Sequence, residues 1–360
     1  MKKYNFNAGP CVLPREAVTA SIEAIHDFDN TGVGILEISH RTPAWEKMMK
    51  QTADLWKELL NIPNNYQIFF LAGGASTQFF TVPANLLNKK AAYLQTGWWA
   101  DKAIEEATVY GEVEIVASSK DKNYSYIPKN YVIPTDADYF HITTNNTIYG
   151  TEIHTDIDSP VPLVADMASD IMSRPVDVSK YGLIYGAAQK NVGTAGVSFV
   201  IVREDMLDKI ERKLPAMMDY RTHIRAIETD NLMYNTPPVF SIYVMYETLK
   251  WVKSKGGLEV MYQFNKEKAA ILYNAIDQSN MFVGTAAKED RSLMNVCFVM
   301  ADKYKDKETA FLDFANERGV VGIGGHRAAG GFRASIYNAC PIEAVEVLAQ
   351  CMRDFENKNG

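Results

Sequence analysis

The stretch "YQIFFLAGGASTQFFTVPANLLNKKAAYLQTGWWADKAIEEATVYG", residues 66–111, decides the fold. "YQIFFLAGG" is an apolar run closed by two glycines, the pattern of a buried strand entering a tight turn. "STQFFTVPANLL" follows with helical spacing, and the pair is then repeated as "AAYLQTG" and "WWADKAIEEATVYG". Strand and helix in alternation predict an α/β fold with parallel strands covered by helices.

Working outward, Thr42 and Pro43 suit a helix start, and Trp45, Met48, Met49, Thr52, Leu55, Trp56, Leu59 and Leu60 recur at helical spacing up to Asn61. Downstream, "DYFHITT", "VPLVADMAS", "YGLIYGAAQ" and "AGVSFVIV" are expected strands. "KSKGG", residues 253–257, marks a break before a helix over 258–278 and a segment of alternating strands such as "NVCFVMAD" and "FRASIYNA". The tail "PIEAVEVLAQCMRDFENK" places Ile342, Val345, Leu348, Met352 and Phe355 on one helix face, with Pro341 in its first turn. A large α/β domain followed by a smaller C-terminal α+β domain is the expected organisation.

The chain's 360 residues suffice for two packed domains. Its formal net charge of −7 argues against general binding to nucleic acid or an anionic membrane, so an anionic ligand must meet a local cluster of cations. The N-terminal "MKKYNFNAGP" has no apolar stretch after its lysines, and no run approaches membrane-spanning length, so a cytoplasmic location is expected. Cys11, Cys297, Cys340 and Cys351 are scattered without a C-x-x-C pair, which points to reduced thiols rather than a disulfide or zinc framework. No metal site is expected.

Ligands of open α/β sheets sit beyond the carboxyl ends of the strands. The residues there are Gly73 to Ser76, Trp98 and Trp99, Thr147, Asp166, and Gln189 with Lys190. "GGAST" offers free amides at a helix start, either a phosphate cradle or a plain strand-to-helix turn; it is neither a Walker A loop nor G-x-G-x-x-G. Asp166 closes an apolar strand, where a carboxylate is a cap, an ion-pair partner or a ligand group. Trp99 is a core residue or a stacking platform. Lys190, 24 positions after Asp166 and one strand later, stands among small residues. An amine and a carboxylate on adjacent strand ends can bracket one flat ring. That matches pyridoxal phosphate chemistry, in which the lysine bonds the cofactor and the aspartate holds the ring nitrogen protonated. Desolvation would lower the amine's pKa and make it a better nucleophile and proton carrier.

"FNAGPCVLP", "SHRTPAW", "GGAST", "VADMASDIMSRPVDV", "YGAAQKNVGTAG", "YNTPPVFSIY" and "GHRAAGGFRASIYNA", in this order, resemble the phosphoserine aminotransferase family of the class V aminotransferases, fold-type I pyridoxal phosphate enzymes. The resemblance runs from about Asn5 to the C-terminal helix. It implies an aspartate aminotransferase-like large domain with a mostly parallel seven-stranded sheet flanked by helices. The implied division is an N-terminal segment, 1–15, packing near the active site and small domain, a large cofactor-binding domain, 16–257, and a small C-terminal domain, 258–360. It further implies Lys190 and Asp166 as the catalytic pair and Trp99 stacked on the ring. Ala75, Ser76 and Gln189 would touch the cofactor phosphate and Thr147 would bond the cofactor. Asn235 and Thr236 would reach the phosphate from the other subunit of a homodimer with shared sites.

For the substrates, Arg333 would clamp the α-carboxylate, and His40, Arg41, His326 and Arg327 would surround the distal anion. The reaction implied is reversible amino transfer between L-glutamate and 3-phosphohydroxypyruvate, in serine biosynthesis, giving O-phospho-L-serine and 2-oxoglutarate. Use of 4-phosphohydroxythreonine, on the route to pyridoxine, is left open. The chain departs from the family at Ser76, where some members carry arginine, and at Thr194, where many carry proline. The alternatives are an alanine-glyoxylate type aminotransferase, a cysteine desulfurase, for which no cysteine stands in an obvious mobile loop, and an idle protein on the same fold.

Overall fold

The computed structural model describes residues 2–229 and 233–360. Seven strands form the main sheet: β1 (Tyr66–Ala72), β2 (Lys90–Gln95), β3 (Glu112–Ser118), β4 (Phe140–Thr143), β5 (Leu163–Asp166), β6 (Tyr181–Ala187) and β7 (Val197–Arg203), in the order β1-β7-β6-β5-β4-β2-β3. β7 runs antiparallel to both its neighbours and the other pairs are parallel. The sheet is thus mostly parallel, as expected of strands buried on both faces. β5 and β6 are buried along their whole length.

The helices α1 (Arg15–His26), α2 (Pro43–Leu60), α3 (Ser76–Leu86), α4 (Trp98–Ala107), α5 (Tyr220–Thr229) and α6 (Val239–Ser254) accompany this sheet. α2 begins where the sequence predicts. The Thr42 side chain accepts from the Trp45 amide, Pro43 takes the first position, and Asn61 ends the helix in the left-handed region at φ 49°. Two differences concern the opening stretch. α4 stops at Ala107 instead of running to Gly111, and residues 112–118, not assigned from sequence, form edge strand β3. An edge strand is paired on one side only, and no β3 residue is fully buried, so its apolar signal is weak.

After α6 comes α7 (Gly257–Asp277), one residue earlier at each end than predicted. The smaller C-terminal domain follows, with the antiparallel sheet β8 (Phe282–Gly284), β9 (Asn295–Met300) and β10 (Phe332–Ser335) and the helices α8 (Glu308–Glu317) and α9 (Ile342–Asn359). Pro341 caps α9 rather than sitting inside its first turn. Phe282, Phe311 and Phe332 fill the centre of this domain, with ring centroids 4.8 Å apart for the first two and 5.2 Å for the last two. Tyr4–Asn5 pair in parallel with Val320–Val321, so the N-terminal segment is tied to this domain. The four cysteines are free thiols. Among the described residues no helix is long and apolar enough to cross a membrane.

Candidate active site

Neighbouring strands β4, β5 and β6 deliver the polar centre. Asp166 is the last residue of β5 and pairs in register with Thr143 of β4 and Tyr185 of β6. Three residues beyond β6, the Lys190 side chain turns back and its Nζ donates to Thr147 Oγ1 at 3.0 Å. Burial pushes the amine down from 10.5 to about 8; Asp166 opposes this shift and the Arg333 cation adds to it. A lysine with that pKa exists in part as free amine near neutral pH, the form that acts as nucleophile and base.

Asp166 is buried, and its Oδ1 accepts a 2.9 Å bond from the Ala168 amide. Desolvation raises its carboxyl pKa, while that bond and Lys190 pull it back. No second hydrogen bond reaches this carboxylate among the described residues. Its main chain is clamped from β4: the Thr144 amide and Oγ1 both donate to the Asp166 carbonyl at 3.1 Å, and the same Oγ1 lies 2.6 Å from Asp170 Oδ1. Asp170 and Glu152 are both buried near Arg174; burial raises both carboxyl pKa values, and the neighbouring Glu152 raises that of Asp170 further.

At the same edge of the sheet, β1 ends at Ala72, which pairs with Val197 at the start of β7, while Ser198 pairs with Ala187 of β6. The loop Gly73 to Ser76 is therefore two strand spacings, roughly 10 Å, from the end of β6. Gly73 holds φ 120° and its amide binds the Gly196 carbonyl, whereas the amides of Gly74, Ala75 and Ser76 donate to nothing among the described residues. Three free amides at the start of α3 form an anion cradle. Trp99, in the first turn of α4, lies 6.3 Å from Phe79 between ring centroids, and its Nε1 has no partner. Gly97 before it has no room for a side chain: a Cβ there would stand 2.7 Å from Asn146 Oδ1.

The N-terminal segment closes the other side. Cys11 Sγ donates to the Lys190 carbonyl at 2.7 Å, and Tyr337 Oη donates to the Ala8 carbonyl at 2.8 Å. From β10, Arg333 Nη1 reaches the Thr147 carbonyl at 3.4 Å, and its side chain lines a cavity of about 230 Å³ with Tyr149, Gly325 and Ala329. His326, 6.2 Å from Trp98 between ring centroids, accepts from the Ala328 amide; burial and the cations Arg333 and Arg327 lower its pKa.

A lysine and an aspartate on neighbouring strand ends, with a cradle of amides on the same edge, also agree with what known proteins indicate. The family model for class V aminotransferases matches residues 3–348. The chain belongs to the class V aminotransferases. The phosphoserine aminotransferase of Azobacteroides pseudotrichonymphae is 59% identical over 356 residues, which cover 99% of this chain and 98% of that protein. The structure of the phosphoserine aminotransferase from Bacillus circulans subsp. alkalophilus matches with a TM-score of 0.94 at 42% identity, covering 100% of this chain and 99% of that one. A pyridoxal phosphate-bound phosphoserine aminotransferase from Trichomonas vaginalis matches with a TM-score of 0.93 at 40% identity, covering 98% of this chain and 100% of that one.

Within this class V aminotransferase the residues singled out from sequence fall into two sets. Asp166, Lys190 and Thr147 come together around one point, with Arg333 and Gln189 adjoining them, and Ala75, Ser76 and Trp99 stand at the same edge of the sheet. His40 and Arg41, by contrast, lie in the turn before α2, where the Arg41 amide bonds Ser39 Oγ, and neither side chain bonds His326, Arg327 or Arg333. Asn235 and Thr236, before α6, likewise bond nothing in the Ala75–Ser76 cradle; the buried Asn235 Oδ1 has no partner. Sequence reasoning missed Thr144, which clamps the Asp166 main chain, and two buried carboxyls: Asp170, bonded to Thr144, and Glu152, which accepts from the Leu293 amide. It also missed the buried His141, whose Nε2 pairs with Tyr185 Oη at 2.9 Å and whose pKa burial lowers to about 3. The signal available was polar "TTNN" directly after an apolar strand, a pattern shared with ordinary turns.

Proposed function

We infer that the protein is a phosphoserine aminotransferase, moving the amino group of L-glutamate to 3-phosphohydroxypyruvate to give 2-oxoglutarate and O-phospho-L-serine, reversibly, with pyridoxal phosphate as cofactor. The observation that carries this reading is the pairing of Lys190, its amine tuned to about 8, with a buried Asp166 whose carboxylate has only one hydrogen bond. The residues fit the cofactor. Free amides at 74–76 suit its phosphate, the spare oxygen of Asp166 suits a pyridine N–H, and the Trp99 ring offers an apolar face. The aminotransferases of A. pseudotrichonymphae, B. circulans and T. vaginalis support the same substrate pair.

When bound, pyridoxal phosphate supplies a protonated ring that takes up the electron pair left as the α-proton departs. Lys190 would hold it covalently, and its amine, when free, would take the proton from the substrate α-carbon. Asp166 would keep the ring nitrogen protonated, Thr147 orients the Lys190 amine, and Trp99 would cover the ring. Ala75, Ser76 and Gln189 bind the phosphate. Arg333 takes the α-carboxylate of either substrate through its planar fork. His40, Arg41, His326 and Arg327 take the distal anion, a carboxylate of glutamate or the phosphate of the keto acid.

The separation of His40 and Arg41 from Arg333, and of Asn235 and Thr236 from the cradle, supports a homodimer in which each chain completes its partner's site. A C-terminal apolar core apart from that of the main sheet supports the division at 1–15, 16–257 and 258–360, with Phe6 of the first segment packed into that C-terminal core and Leu258 and Met261 at the start of α7 still in the core of the large domain; the free thiols suit a reducing cytoplasm. Lys190→Ala is expected to abolish turnover and the visible absorbance of the bound cofactor; full activity in that variant overturns the assignment. Steady-state rates with 3-phosphohydroxypyruvate against glyoxylate test the substrate, and a preference for glyoxylate defeats it. Adding the keto acid of 4-phosphohydroxythreonine to that comparison decides the second route.

A further inference from the structure

The largest of the cavities described here is not the active site. It has a volume of about 830 Å³ and lies in the seam where α1 and the end of α6 meet α7 and the start of α9. That volume is in the range of small-molecule sites, which favour domain junctions and are mostly apolar with a few placed polar groups. The walls are Leu13, Trp251, Met261 and Phe264, with Val260 half exposed at the lip.

The mouth has the opposite character. Lys2, Lys3, Arg15 and Lys255 line it against a single carboxylate, Glu16, in a chain whose formal net charge is −7. Lys2 pairs with Glu343 and Lys255 with Glu16. Lys3 and Arg15 have no ion-pair partner among the described residues, and Arg15 is close enough to Lys2 to disfavour its charge. Unpaired cations above an apolar, aromatic pocket are complementary to an anion with a hydrophobic body.

We propose that this seam cavity is a second binding site, for a small amphipathic organic anion: a ring-sized apolar body carrying one carboxylate, sulfonate or phosphate. The body lies against Trp251 and Phe264, and the anionic group meets Lys3 and Arg15. Such an occupant touches both domains at once. It also touches the N-terminal segment, because Cys11 lines this cavity while its thiol bonds the Lys190 carbonyl on the other side.

The test is a fluorescence titration of the cofactor-loaded full chain with anilinonaphthalene sulfonate, an aromatic body with one sulfonate. Saturation at one probe per chain is expected, and saturating O-phospho-L-serine, its binding verified by the absorbance of the bound cofactor, leaves the probe in place. The double variant Lys3→Glu, Arg15→Glu is expected to weaken binding at least tenfold, Arg15→Lys to preserve it, and Val260→Trp, which fills the lip without changing charge, to weaken it as well. Displacement of the probe by O-phospho-L-serine overturns the proposal, as does unchanged affinity in the double variant. Loss of probe sites as the chains associate also overturns it, since a second copy then covers the seam.

Discussion

Thr147→Val removes the one hydrogen-bond partner that Lys190 Nζ has among the described residues, at 3.0 Å, yet keeps the side-chain volume and the backbone carbonyl that Arg333 binds. The hydroxyl accepts from the ammonium, so it favours the charged form of a lysine that burial already holds at about 8. A hydrogen bond to a charged group contributes about 1.5 kcal/mol at the low end, equivalent to about one pKa unit. Losing it favours the neutral amine, so the Lys190 pKa falls towards about 7. The assay is the pH dependence of the rate at which cofactor-free enzyme bonds pyridoxal phosphate, because only the free amine reacts. The midpoint of the rise is expected near 8 in the parent and about one unit lower in Thr147→Val, with Thr147→Ser close to the parent. A midpoint that stays in place, or moves upward, refutes the role given to this hydroxyl.

Arg333→Lys keeps the charge but loses the planar fork; KM for glutamate and for the keto acid should both rise about 30-fold, roughly 2 kcal/mol, with kcat changed less, as read by steady-state kinetics. In Gly97→Ala the new methyl meets Asn146 Oδ1 and displaces the start of α4, so cofactor retention on dialysis and Tm should both drop, for about 1–3 kcal/mol of overpacking. Lys268, wholly buried, donates to the carbonyls of Ile336 and Tyr337 at 2.8 and 2.6 Å; Lys268→Met removes both bonds, leaving the Tyr337 carbonyl only the Cys340 amide, and should cost about 3 kcal/mol in denaturant unfolding. Glu152 has a folded pKa raised by burial, so its contribution is fully present below the ordinary value of 4.5 and is lost as pH rises through the raised one. Glu152→Gln should flatten that fall in a Tm-against-pH series, and an unchanged slope counts against a buried, protonated Glu152.

Much of the site was legible because catalytic groups at strand ends interrupt strong apolar runs. Asp166 after "VPLV" and Lys190 after "YGAAQ" are conspicuous for that reason, and the fold places them on adjacent strands as the α/β alternation requires. The supporting groups were not legible. Thr144, Asp170 and Glu152 matter through contacts between distant segments, Thr144 with Asp170 26 residues apart and Glu152 with Leu293 141 apart, and a polar residue in a loop carries no mark of what it will face. Strand β3 escaped for a different reason: half-solvated on the sheet edge, it has an apolar run only over residues 115–117.

The sequence by itself determined the alternating α/β architecture, the family, and the residue types of the reacting pair, because those depend on local periodicity and on a few short motifs. Only the tertiary structure decided the tuning. Lys190 reaches a pKa of about 8 because the folded chain removes water from it and sets Asp166 and Arg333 at opposing influence. The three amides of residues 74–76 become a cradle because β1 and β6 end, and β7 begins, at the same edge. Desolvation and the distance between strand ends are properties of packing, and no local stretch of sequence contains them.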